Sequence, residues 1–465
     1  MSRQSEIPGY YFDPERNRYF KIERNQTAPA GASWSATAVK RRKVEDKEAT
    51  KAKKQLELIK SRIQRAKLLA EPSTGGFLQR ELGASVPDLT EAIWAKGLRD
   101  KGEIPFVYAN GPERPKVPNI PGFYVDGSDH KTGLGAVYGT LGDRDLYSCY
   151  IPTDANDRVR FATDEAAPEQ LTHTLRRELI PVPYMSSIKY HAPSNSMLLT
   201  SREPRAANGL SFFSPPLRRD EEGPVWGLGE SQHYIMVSLN SLSGHDNMVV
   251  NTCEAASDAS SVTCLVGANT GIIRLRTNGS VSYLTPKPDP EEVVHHNPEP
   301  KDYPTDIFSI DFQRGGHPEV FFAGGRPGRL WMCDIRTPVQ EWDWMRHPSS
   351  IAHVRSVSEH RVLALGPRSA MAVYDIRAGW KESAEPCVRF PEYRNREHVY
   401  IGAAAEPEIG VVAAAHDDGK VAIYSCMMFQ TMPLETHPSL WVGVGPYVKK
   451  ISFGTSDDGT EDETW

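Results

Sequence analysis

From about residue 103 onward the chain is written in short apolar runs, alternating with polar positions and separated by Gly, Pro, Asn and Asp. Strict alternation marks strands, and the intervening residues are those that supply tight turns. Two stretches share one phrase. Residues 320–336 read VFFAGGRPGRLWMCDIR and residues 362–377 read VLALGPRSAMAVYDIR. Each runs from an apolar strand through a small or polar turn into a second alternating strand, and ends on Asp-Ile-Arg. Asp334 and Asp375 lie 41 residues apart. A repeat of that length, with paired short strands inside it, predicts the blades of a β-propeller.

The same grammar recurs elsewhere. Residues 412–425 turn at Asp417-Asp418-Gly419, residues 262–277 at Asn269-Thr270-Gly271, and residues 135–152 at Gly142-Asp143. Residues 233–241, HYIMVSLNS, are a weaker case. Third strands are therefore expected to end near Cys149, Ser238, Arg276, Cys333, Tyr374 and Tyr424. Residues 441–454 then offer one or two more strands, which complete a last blade if they pair with a strand from the N-terminal side. Such closure removes sheet edges that would otherwise be open to aggregation. The expectation is an all-β propeller of seven blades over residues 103–455. Residues 153–183, 201–230 and 285–305 are polar and Pro-rich, and are expected to be long loops, where binding function tends to sit.

Ahead of the propeller the pattern changes. Residues 7–22 predict an aromatic hairpin, with Tyr10-Tyr11-Phe12 and Arg18-Tyr19-Phe20 flanking a turn at Asp13-Pro14 and Asn17. This hairpin and a linker make a first segment, 1–37. A second, 38–102, is a basic helical arm. In it Ala52, Leu56, Ile59, Ile63, Ala66 and Ala70 form one apolar stripe, stopped by Pro72-Ser73-Thr74-Gly75-Gly76. A further helix is predicted from Asp88 through Leu98, carrying Leu89, Ile93 and Trp94 on its apolar side. Residues 456–465 form an acidic tail.

Charge sharpens the reading of the arm. The whole chain carries a formal −6, yet residues 38–69 hold twelve Lys or Arg against four Asp or Glu. Lys40-Arg41-Arg42-Lys43 fits a nuclear-localisation cluster, or else the solvated start of a basic helix. The expected location is the nucleus, with the cytoplasm also open. Nucleic acid is a competing partner for 38–69, weakened by the lack of interleaved aromatics. The six cysteines are scattered, without metal spacing, which predicts buried thiols in a reduced compartment. No apolar run is long enough to span a membrane. His295-His296 lacks a third ligand, so no metal is assigned. No phosphate-cradling, nucleophile-elbow, kinase or zinc-protease motif occurs, so no catalytic residue and no cofactor is assigned and the chain is read as a non-enzyme.

The stretches Gly267–Thr277, Gly325–Arg336 and Ala415–Ser425 resemble WD repeats, with Cys333, Tyr374 or Tyr424 where the Trp would stand. Their Gly-His dipeptides appear only as Gly244-His245 and Gly316-His317, and His317 is expected to be a loop residue. Two readings of the Asp-x-Arg endings stay open. In one, each Asp caps its strand end and each Arg pairs with a neighbouring Asp on the blade rim. Alternatively, Arg336 and Arg377, with Asp334 and Asp375, form a docking surface. Such endings are similar to the box carried by substrate receptors of cullin-four RING ubiquitin ligases. Ile7-Pro8-Gly9-Tyr10-Tyr11-Phe12-Asp13-Pro14 and Asn17-Arg18-Tyr19-Phe20-Lys21 resemble the opening of one such family, the fourth of the WD-repeat factors associated with the damaged-DNA-binding adaptor and cullin four. The resemblance implies that Arg336, Arg377 and the helical arm dock on that adaptor while loops or the outer propeller face present an unidentified protein substrate. The alternative is a nuclear WD-repeat scaffold in ribosome biogenesis or RNA processing, with the basic arm on RNA.

Overall fold

Each apolar run of the second half becomes one strand of an antiparallel meander. The structure, a computed structural model, describes residues 9–13, 18–22, several positions between 34 and 44, and most of 95–453. Outside the description lie 107–119, 127–133, 203–208, 243–247, 288–301, 379–384, 426–438, 454–465 and a few shorter gaps. The expected helix over 45–71 and its stop, most of the helix from Asp88, Arg42, Lys43, Gly244-His245, His295-His296, Cys426 and the acidic tail therefore fall outside the described residues. The chain divides into two compact units, Met1–Pro87 and Asp88–Trp465.

In the first unit the aromatic hairpin forms as expected. Tyr10–Asp13 pairs antiparallel with Arg18–Lys21, in the register Tyr10↔Lys21 to Asp13↔Arg18. A lone hairpin is marginal in water, so its rings need cover. Phe12 leans on Tyr19 at 5.0 Å, and Phe20 stacks on Trp34 at 4.6 Å with only 12° between the planes. Ser35 then caps a helical turn: its carbonyl accepts the Val39 N–H at 2.9 Å and its hydroxyl faces the Ala38 N–H at 3.4 Å. Val39 is buried, while Lys40 and Arg41 are exposed on that turn.

The second unit holds seven sheets of three or four strands. Blade 1 is Phe123–Asp126, Leu134–Leu141, Asp145–Pro152 and Arg176–Pro181. Blade 2 is Met185–His191, Ser196–Ser201, Leu210–Phe213 and Ile235–Val237, with an extra hairpin, Leu217–Asp220 and Gly223–Trp226, inserted before its last strand. Blade 3 is Val250–Ala255, Val262–Ala268, Gly271–Arg276 and Val281–Tyr283. Blade 4 is Ile307–Phe312, Val320–Gly325, Arg329–Asp334 and Asp343–Arg346; blade 5 is His353–Ser358, Arg361–Gly366, Ala370–Asp375 and Val388–Arg389. Blade 6 is Ala403–Glu406, Val411–Ala415 and Val421–Ser425. Blade 7 pairs Leu440–Val444 with Tyr447–Phe453 and borrows its third strand, Leu98–Pro105, from the N-terminal side. The upper face is taken as the one where innermost strands begin; they end at the lower face.

Seven hydrophobic clusters join the blades in a ring, one for each neighbouring pair. Successive side chains of one strand serve opposite clusters. Phe321 packs toward blade 3 and Phe322 toward blade 5; Leu199 packs toward blade 1 and Leu198 toward blade 3. A strand covered on both sides needs an apolar residue at nearly every position, which is why these runs are almost continuous. Between the second and third strands of blade 3 the chain turns at Gly271, whose φ of +122° suits glycine. A Cβ there would sit 2.2 Å from Thr285 Oγ1, the hydroxyl that accepts the Ile272 N–H.

Three expectations are corrected. The helix from Asp88 does not reach Leu98: Ala95 and Gly97 are helical, but Leu98 starts a strand, ahead of the change of texture at 103. Pairing with Phe453 outweighs the local helical periodicity. The third strand of blade 2 is Leu210–Phe213, inside a stretch expected to be loop, and the run near Ser238 is the exposed outermost strand Ile235–Val237. The inserted hairpin separates the two and breaks the spacing. The stretch 153–183 likewise contains a strand, Arg176–Pro181.

Blades 7 and 1 are also latched by polar groups. Lys450, only 3 % exposed, is ion-paired to Asp157 in the blade 1 loop, and Ser452 Oγ donates to the same carboxylate at 2.8 Å. Lys101 Nζ donates to the Asn156 carbonyl at 3.1 Å, and the Val159 N–H donates to the Lys101 carbonyl at 2.7 Å. Lys450 is buried but the Asp157 side chain is half-exposed, so removing the carboxylate leaves a charge that water reaches in part, at a cost below the roughly 3 kcal/mol of a fully buried pair. Asp157→Ala is thus expected to lower the unfolding free energy by about 1–2 kcal/mol, and adding Lys450→Met should restore part of it. Denaturant unfolding of the two variants measures both changes.

Candidate partner-binding surface

Asp334 and Asp375 end the third strands of blades 4 and 5 at the lower face, and both endings build one geometry. The Arg336 N–H donates to Asp334 Oδ1 at 2.9 Å, its Nε to the same oxygen at 2.9 Å and its Nη2 to Oδ2 at 2.6 Å. In blade 5 the Arg377 N–H, Nε and Nη2 make the matching bonds to Asp375 at 2.9, 3.0 and 2.6 Å. Each Asp grips its own Arg two residues on, so the pairing is within one turn and not with a neighbouring blade. The two arginine side chains stay 52 % and 62 % exposed.

Blade packing seats both turns. Ile335 and Ile376 turn inward, and their N–H groups donate to the carbonyls of Glu319 and His360 at 3.0 and 2.9 Å. In blade 4 Trp342 also donates its indole N–H to the Asp334 carbonyl at 3.0 Å while packing edge-on against Phe321. His317 is a loop residue, as expected, but its Nε2 accepts from Arg336 Nη1 at 2.8 Å. The sequence held no sign of that contact. The other described third strands end differently, Arg276 donating its N–H to the Ser280 carbonyl at 2.9 Å. The forks belong to two adjacent blades.

A fork of this kind fixes an arginine before any partner arrives. Ordering a free Arg side chain costs up to about 2 kcal/mol, and here that cost is already met inside the fold. The same pairing cancels much of the charge. What remains for a partner is the planar face and outer N–H groups of each guanidinium, suited to carbonyl oxygens and aromatic rings.

The lower face also holds a cleft of about 790 Å³, lined by Tyr124, Lys189, Tyr190, Glu254, Asp311 and Arg314 among others. Its charges come one per innermost strand: Lys189 in blade 2, Glu254 in blade 3, Asp311 in blade 4, and beside them Arg355 in blade 5. Lys189 Nζ meets Glu254 Oε2 at 2.7 Å. Asp311 accepts the Ser356 N–H at 2.6 Å, and burial pushes its carboxyl up to about 6, with Arg355 opposing the rise. Sequence reasoning passed over these residues. The available signal was one Lys, Glu, Asp or Arg in the first strand of each of four successive blades.

Among the described residues no cluster could hold a metal ion, and no helix is long and apolar enough to cross a membrane. Cys149, Cys253, Cys264 and Cys333 are buried as expected, and burial pushes the Cys149 thiol up to about 12. Cys387 departs from the expectation: it is exposed, with its thiol directed at the Val373 carbonyl at 3.2 Å. It sits beside the outermost, solvent-facing strand of blade 5.

No protein-family model matches the sequence, and no curated protein matches it. Among solved structures the chain is similar to the WD40 β-propeller domain of Doa1, at 10 % identity over 77 % of this chain and 97 % of that one, with a TM-score of 0.42. So loose a superposition leaves the seven sheets themselves as the ground for the fold. The chain is a seven-bladed β-propeller with an N-terminal extension.

The Arg377 guanidinium holds the Asp375 carboxyl down at about 2, and Arg336 lowers that of Asp334 in the same way. A carboxyl held below its unfolded-state value of about 3.9 stabilises the fold fully above that pH. The contribution is lost as pH falls through about 2. In a carboxyl-carbon NMR titration Asp375 should turn over near 2, and Arg377→Ala should move the midpoint back toward the ordinary aspartate value. A midpoint that ignores the substitution means the fork does not persist in solution.

Proposed function

We propose that this propeller is a non-catalytic scaffold that docks through Arg336 and Arg377 on the damaged-DNA-binding adaptor of a cullin-four RING ubiquitin ligase and presents a protein substrate. The observation that carries the reading is the pair of matched forks, on adjacent blades and one face, with both guanidiniums ordered and exposed. Blade formation does not require them, since blades 3 and 6 close their third strands without an Asp-x-Arg. The aromatic hairpin, Tyr10–Asp13 with Arg18–Lys21, adds the likeness to one receptor family in the same chain. In this role the protein supplies proximity: it raises the effective concentration of substrate lysines near a charged conjugating enzyme. Lys40–Lys43 would direct the protein to the nucleus.

The test is co-purification of the adaptor with the full chain. Arginines central to an interface commonly contribute about 2 kcal/mol or more each, so Arg336→Ala combined with Arg377→Ala should lower adaptor affinity at least about 30-fold. The melting temperature should fall only modestly at neutral pH, because the forks lost are exposed to solvent and their contribution to stability is screened. Undiminished recovery of the adaptor overturns the reading. Steeply salt-dependent RNA binding that disappears on deleting residues 38–69 would favour the ribosome or RNA-processing alternative instead.

A further inference from the structure

The opposite, upper face carries a group that the fold leaves unsatisfied. Arg202 follows the second strand of blade 2, and its guanidinium lies flat on the ring of Tyr400, 3.5 Å from the centroid. Tyr400 belongs to the segment leading into blade 6, four blades further round the ring, so this contact reaches across the mouth of the central channel. Its neighbours confirm the position. Phe308, at the start of the innermost strand of blade 4, meets the Tyr400 ring edge-on at 6.5 Å. His353, at the start of that of blade 5, bonds through Nε2 to the Ile401 carbonyl. Despite this anchoring Tyr400 is 57 % exposed.

Arg202 has a platform but no acceptor. Its Nε is buried without a hydrogen-bond partner, and among the described residues no carboxylate pairs with its guanidinium. Burial lowers its proton affinity, as expected for a cation without a counter-charge. Arg326 supplies the contrast at the same mouth: it lies over Phe308 at 5.0 Å, but its Nε is paired with Asp306 at 3.1 Å. Arg202 is only half-buried, so its guanidinium is a cation held in place on the ring with no acid from the fold beside it among the described residues.

The geometry points to Arg202 and Tyr400 as the docking point for an acidic segment of a protein partner, one Glu or Asp of which forks onto the guanidinium. A single planar guanidinium, already stacked on an aromatic ring, matches a carboxylate in a two-point bond. A phosphate would call for further cations, and the neighbouring Arg326 is engaged by Asp306. The exposed Tyr400 and the adjacent Phe308 give the residues beside that carboxylate an apolar contact. The site lies on the face away from the Asp334 and Asp375 forks and does not depend on the adaptor reading.

A fluorescein-labelled hexaglutamate peptide, titrated with the full chain and followed by anisotropy, tests the assignment. Hydrogen bonds to a charged group contribute about 1.5–3 kcal/mol, so Arg202→Ala should weaken binding about ten-fold or more. Tyr400→Ala should weaken it less, and hexaglutamine should not bind. Arg336→Ala with Arg377→Ala should bind like the wild type, which keeps this test separate from that of the adaptor. Arg202→Gln retains bulk and serves if the Ala variant folds poorly. On the wild type, hexaglutamate should also move the Arg202 Nε–H resonance. Absence of binding, or equal binding by Arg202→Ala or Arg202→Gln and wild type, overturns the proposal. A phosphoserine hexapeptide that binds ten-fold tighter than hexaglutamate, and loses that margin in Arg202→Ala, replaces the carboxylate with a phosphorylated partner.

Discussion

No blade here has a core of its own. Every apolar cluster is shared by two neighbouring sheets, so a sheet is stable only while both of its neighbours are present, and the ring exists only when closed. That shared burial leaves one problem at the centre. Innermost strands of adjacent blades run side by side without a ladder of hydrogen bonds between them, so their inner backbone groups need other partners. Short polar side chains supply them. Asn251 Nδ2 donates to the Ile307 carbonyl at 3.0 Å, and Ser309 Oγ accepts from the Val354 N–H at 3.0 Å. The carboxylate of Asp311 meets the Ser356 N–H in the same way. The charged cleft at the lower face grows out of this stitching: Asp311 serves the backbone of the next blade and the cleft together.

Closure runs through two seams, one on each side of blade 7. Between blades 6 and 7 the described cluster has one fully buried member, Val411, with Ala95, Leu98 and Ile423 beside it. Between blades 7 and 1 Ile104, Phe106, Val448, Cys149 and others are fully buried, and the pair of Lys450 with Asp157 adds a polar latch. The borrowed strand Leu98–Pro105 touches both seams: Leu98 faces blade 6 and Ile104 faces blade 1. One segment from the N-terminal side therefore takes part in both seams that flank blade 7, and the ring closes through it.

How much of this was legible in the sequence depended on where the information sits. Strands buried on both faces announce themselves as apolar runs, and turns that need a positive φ announce themselves as Gly271 and Gly419. Leu210–Phe213 did not, because a four-residue strand next to two prolines carries too little periodicity and the inserted hairpin displaces its partner. Leu98 looked helical because local spacing knows nothing of Phe453, which lies far along the chain. The Asp-x-Arg pairs were visible as a motif, but their closure within one turn was not: two residue types at that spacing fit a self-contained fork and an open docking pair equally well. Lys189, Glu254 and Asp311 were missed for a different reason. They come together only because successive blades repeat, and each taken singly is one charge in a strand.

The two faces differ in what they leave unfinished, and that decides how each can bind. On the lower face Arg336 and Arg377 are matched by their own aspartates and Lys189 by Glu254, so little net charge is left to steer a partner. Binding there rests on preordered geometry and shape, and salt should affect it weakly. On the upper face the half-buried guanidinium of Arg202 is held flat on Tyr400, so a carboxylate that meets it gains a charge-assisted bond at little ordering cost. Between the faces stands a ring of close-packed sheets, and a close-packed core without a second arrangement has no means of passing a signal. Two partners on the two faces would therefore bind independently. Any cooperation between them comes from being held on one rigid body, where proximity alone raises the effective concentration of one at the other.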